Sequence, residues 1–82
     1  MVEETIFRLL AEKPGKSISA EEVARAVGAE FWRRRLPQVR STAVGLARQG
    51  RLVILRHGKP ADPDDFKGVY RLGLPPQAGD QP

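Results

Sequence analysis

Apolar residues recur at the start of the chain with the period of a helix. Val2, Ile6, Leu9 and Leu10 stand at i, i+4, i+7 and i+8, which places them on one face. The pattern predicts a helix over 2–12. Glu3 and Glu4 fall in its first turn, where the helix dipole favours acids, and Pro14-Gly15 ends it. Ser17-Ile18-Ser19 follows as a short extended link with one inward apolar side chain. Ser19 and Glu22 have the spacing of a capping box, in which each side chain takes up the other's backbone N–H. They open a second helix over 20–27. Ala20, Val23, Ala24 and Val27 share one side of it, and Gly28 lies past its end as a C-terminal cap.

Residues 29–36 read as a turn, and a third helix is predicted over 37–49. Pro37 suits the first helical position, where a missing N–H goes unused, and Gly50 suits the C-terminal cap. Val39, Ala43 and Leu46 form the apolar stripe. Trp32 and Leu36 continue it backward but are placed on the turn, because proline disrupts a continuous helix. After Gly50 the period changes. Leu52-Val53-Ile54-Leu55-Arg56 reads as a strand, His57-Gly58-Lys59-Pro60 as a turn, residues 61–68 as a polar loop and Val69-Tyr70-Arg71-Leu72 as the returning strand. Residues 74–82 are rich in Gly, Pro and Gln and read as a disordered tail. The sequence of elements is helix, short strand, helix, helix and two-stranded hairpin. That describes a mainly α domain with a small β-hairpin (α+β) over 1–73, in the order of a winged helix-turn-helix.

Composition narrows the chemistry. The 82 residues suffice for one domain, and there is no cysteine. Disulfides, thiolate metal sites and a cysteine nucleophile are therefore excluded. The longest apolar run is Leu52–Leu55, too short to cross a membrane, and Val2-Glu3-Glu4 is not the basic start of a signal peptide. A soluble, cytoplasmic domain is expected. The net charge of +4 is unevenly distributed. Residues 31–61 hold eight bases and no acid: Arg33, Arg34, Arg35, Arg40, Arg48, Arg51, Arg56 and Lys59. Acids outnumber bases on both sides of that stretch. A purely solubilising surface mixes signs, so this segment points to a polyanion as partner.

The third helix is the candidate reader. Its core stripe leaves Gln38, Ser41, Thr42, Gly45, Arg48 and Gln49 facing out, with Arg40 at the border. Arg, Gln, Ser and Thr are the side chains that read base edges in a major groove or hold phosphates. Arg33, Arg34 and Arg35 at the entry to this helix are candidate phosphate contacts, as are Arg56, His57 and Lys59 at the hairpin tip. Gly45 weakens the helix and implies close approach, to a neighbouring helix or to a phosphate. Trp32 and Phe7 read as core. His57 with Asp62, Asp64 and Asp65 makes a poor metal site, so no metal or other cofactor is expected. Ser41, His57 and Asp62 have no nucleophile elbow around them, so no enzyme is expected.

An ordered set of motifs carries a resemblance. It comprises Ile18 to Gly28, Phe31-Trp32-Arg33, Leu36-Pro37-x-Val39-Arg40, Leu46-Ala47-x-x-Gly50-Arg51, Gly58-Lys59-Pro60-x-Asp62-Pro63 and Lys67 to Leu72. Over residues 4–72 the chain resembles a family of small bacterial winged-helix domains of unknown function. Such domains often carry Cys-Pro where this chain has Ser19-Ala20. The resemblance implies a fold and no activity. The expected function is double-stranded DNA binding, as in a transcriptional regulator, with the third helix in the major groove and the hairpin on the backbone. The alternative is a protein-docking module that uses Val53 and Leu55 or the acidic face of the second helix. A homodimer fits either role.

Overall fold

The computed structural model describes residues 1–75. Of the expected tail, residues 76–82 lie outside the described residues, while Leu74 and Pro75 belong to no helix or strand. The chain forms an α+β fold of three helices and a small antiparallel sheet. The elements are α1 (Val2–Glu12), β1 (Ile18–Ser19), α2 (Ala20–Val27), α3 (Trp32–Arg48), β2 (Val53–Arg56), β3 (Lys59–Pro60) and β4 (Arg71–Gly73). A single 3₁₀ turn, Ala29–Phe31, links α2 to α3.

The first two helices have the predicted bounds, and local chemistry accounts for both starts. Glu3 and Glu4 lie in the first turn of α1. At α2 the Ser19 hydroxyl accepts the Glu22 N–H at 3.0 Å and the Glu22 carboxylate accepts the Ser19 N–H at 3.0 Å, which completes the capping box. Gly28 caps the end of α2 as expected, its N–H donating to the Ala24 carbonyl at 3.0 Å. Its φ of −170° is extended backbone. A Cβ there would stand 2.5 Å from Nε of Arg35, so a side chain at this position would displace that guanidinium.

The third helix differs most from expectation. It begins at Trp32, five residues before the predicted start, and carries Pro37 inside it. Proline cannot donate to the Arg33 carbonyl and so removes one ladder bond. The helix persists because its apolar stripe needs both turns. Trp32 and Leu36 pack on the buried core together with Val39, Ala43 and Leu46, at i, i+4, i+7, i+11 and i+14. At the far end Gly50 adopts φ +76°. Its N–H meets the Ala47 carbonyl and the Arg51 N–H meets the Leu46 carbonyl, both at 3.0 Å, closing a Schellman motif.

The sheet has four strands in the order β1-β4-β2-β3, one more than the short strand and two-stranded hairpin expected. His57 and Gly58 both have positive φ (54° and 80°). That is the two-residue turn whose twist matches antiparallel strands. It reverses the chain early, so Lys59-Pro60 pairs with Arg56 and Leu55 instead of forming part of the turn. The chain then leaves the sheet and returns at Arg71, two residues later than expected. Leu72 pairs with both Ile18 and Ile54 and closes the sheet over the helices. The core is built from Ile6, Leu10, Ile18, Val23, Val39, Ala43, Leu46, Leu52, Ile54 and Leu72, with Phe66 as its one aromatic. Phe7 and Trp32, expected to be core, are half-buried at its margin.

Candidate nucleic-acid interface

Two stripes run along α3. The inner one is Trp32, Leu36, Val39, Ala43 and Leu46. Moving each position forward by two residues, about 200° round a helix, gives Arg34, Gln38, Ser41, Gly45 and Arg48. This outer stripe faces away from the core, and all its members except Gly45 are exposed. Five of the sequence-predicted site residues thus share one face. Gly45 has no neighbour that excludes a side chain. Nothing lies within 4 Å of where its Cβ would stand. The expected close approach to a neighbouring helix is absent.

The other site residues flank the stripe or lie apart from it. Arg33 and Arg40 fall on one flank, Arg35 and Thr42 on the other, and Thr42 is half-buried. Arg56, His57 and Lys59 sit at the β2–β3 turn, where His57 and Lys59 are exposed.

Many of the basic side chains of residues 31–61 are already engaged. Arg48 pairs with Asp64, its Nε lying 2.7 Å from Oδ1. Arg51 pairs with Glu3 at 3.1 Å. Arg40 donates to the Phe66 carbonyl at 2.8 Å and lies over the Phe66 ring, 4.0 Å from its centroid. Arg56 donates to the Val69 carbonyl. Arg35 folds across Gly28 with its Nε buried and without a hydrogen-bond partner. Arg33, Arg34 and Lys59 have no carboxylate partner among the described residues. Arg33 stacks on Trp32 at 4.6 Å and Arg34 on Phe31 at 5.3 Å. Stacking uses the face of a guanidinium and leaves its N–H edges open to an anion.

Tyr70 was missed as a site residue. Its ring meets Phe66 edge-on at 5.1 Å, and burial pushes its phenol above the ordinary value while the Arg40 charge works the other way. Val69–Leu72 reads as a strand, and a strand period does not place the Tyr70 ring against Phe66 and α3. With Trp32, Leu36, Pro37 and Ala20, Tyr70 lines an apolar groove of about 710 Å³ beside α3. Among the described residues no cluster of acids and histidine is placed to hold a metal, and no helix is long and apolar enough to cross a membrane.

One protein family, described as "Protein of unknown function (DUF3253)", matches residues 1–75. The chain belongs to this family. The DUF3253 match spans every helix and strand described above, so the outer stripe of α3 and the groove beside it both lie within the family's domain. No curated protein matches the chain.

Proposed function

We propose that this DUF3253 chain is a double-stranded DNA-binding module of winged helix-turn-helix build, with α3 entering the major groove and the β2–β3 turn lying on the backbone. The single observation that supports it most is the outer stripe: Arg34, Gln38, Ser41, Gly45 and Arg48 on one face of a 17-residue helix, met at its far end by Asp64. Arginine, glutamine and serine offer base-edge and phosphate contacts, and the open space at Gly45 admits a backbone closely. The order of elements and the β1-β4-β2 pairing are consistent with a winged helix that carries a short extra strand.

The docking alternative has weaker support at the surfaces expected for it. Val53 and Leu55 are half-buried, Glu21 is paired with Arg25, and Glu22 is paired with Lys13.

Titration of a fluorescent duplex at low salt tests the proposal. Arg34→Ala is expected to weaken binding about fivefold or more, the loss of one charge-assisted contact, with an unchanged melting temperature. Wild-type affinity in that variant would refute the placement of the interface on α3.

A further inference from the structure

The groove beside α3 is not used by duplex binding on the outer stripe. It runs between the first turn of α2, the N-terminal half of α3 and the segment before β4. Its walls are Ala20, Trp32, Leu36, Pro37, Val69 and Tyr70, and its volume of about 710 Å³ falls in the range of ligand clefts. Val69 is 83% exposed, a large apolar side chain left in water on the groove's edge.

The rim is basic. Arg25 and Arg33 lie over Trp32 at 4.5 and 4.6 Å, and Arg40 lines the wall. The one acid in the lining, Glu21, is tied to Arg25 at 2.7 Å. Apolar walls offer nothing to a phosphate backbone, whereas apolar anchors would fill them. The guanidinium edges above those walls fit carboxylates.

We propose that this groove binds an acidic peptide segment of a partner protein, its apolar side chains seated between Trp32 and Val69 and its carboxylates on Arg33 and Arg40. The inference does not depend on duplex binding.

The test is titration of the full chain with a capped octapeptide that alternates Asp with Phe and Leu. Emission of Trp32, the chain's one tryptophan, and amide shifts give the readout. Saturable binding is expected, with shifts at Leu36, Val69 and Tyr70. The same peptide with Asn for every Asp is expected to bind about tenfold more weakly, the effect of losing charge-assisted hydrogen bonds. Val69→Thr, which alters an exposed side chain and so spares the fold, is expected to weaken peptide binding about threefold to fivefold and leave duplex affinity unchanged. Arg34→Ala is expected to do the reverse. Equal affinity for the Asp and Asn peptides, no saturable signal, or wild-type peptide affinity in Val69→Thr would overturn the proposal.

Discussion

Arg48, in the last turn of α3, and Asp64, in the loop leading to β4, hold each other across the outer end of the helix, with Nε 2.7 Å from Oδ1. The pair closes one end of the outer stripe with a carboxylate that any polyanion must displace. Both partners are exposed, so the pair adds only about 0–1 kcal/mol to stability. Asp64→Asn removes the competing charge and frees the guanidinium. It is expected to raise duplex affinity about threefold or more at low salt and to steepen the salt dependence by about one contact, with little change in melting temperature. Anisotropy titrations of the two proteins at several salt concentrations make the comparison. Equal affinities would remove Arg48 from the interface.

Gly45 offers a second test, because its two roles separate. Helix propensity alone makes Gly45→Ala stabilising by about 1 kcal/mol, and the open space at that position leaves nothing to oppose it. If a phosphate or base edge must come close there, the added methyl weakens duplex binding. The expected variant melts higher and binds less tightly. A variant that melts higher and binds as the wild type does would make Gly45 a neutral weakness of the helix.

Phe66 and Trp32 are expected to differ in what they contribute. Phe66 is buried, touches Arg40 and Tyr70, and pins a loop that reads as polar. Phe66→Ala is expected to cost about 3–5 kcal/mol in chemical denaturation. Trp32 is half-buried under two guanidiniums and forms a groove wall, so Trp32→Ala is expected to cost less, about 2 kcal/mol. Equal losses would mean that the indole is part of the core.

These two aromatics mark where the sequence was and was not legible. The helices α1 and α2 could be read to the residue, because apolar period, first-turn acids and the Ser19–Glu22 box all agree there. The start of α3 could not. Pro37 is a strong local signal, and it was outweighed by Trp32 and Leu36, whose value lies in packing that spacing alone does not reveal. Lys59-Pro60 was hidden because a two-residue turn with His57 in a left-handed conformation lacks the usual Asn or Gly at that position. Phe66 was hidden by the aspartates around it. For the interface, the outward positions of α3 follow from period. The fate of each arginine does not, since Asp64, the Phe66 carbonyl and Gly28 reach them only through tertiary structure.

The contact of Lys13 with Glu22, together with the capping box, makes stability depend on pH. A hydrogen bond from Lys13 and, next, the Ser19 N–H hold the Glu22 carboxyl below its ordinary value of 4.5. The folded chain therefore takes up this proton less readily than the unfolded chain. The stabilisation is complete above the unfolded-state value and fades as pH falls through the lower folded-state value. Melting temperatures measured downward from neutral pH are expected to drop less steeply for Glu22→Gln than for the wild type. Parallel curves would show that other carboxylates govern the acid limb.

The salt dependence of duplex binding tests the central claim most directly. Arg33, Arg34 and Lys59, with Arg48 once released from Asp64, supply about four phosphate contacts, which gives a slope of log K against log salt near −3 to −4. Binding by α3 predicts that slope for the wild type and one shallower by about 1 for Arg34→Ala. No binding to a random duplex even at low salt, or the same slope in both proteins, would contradict it.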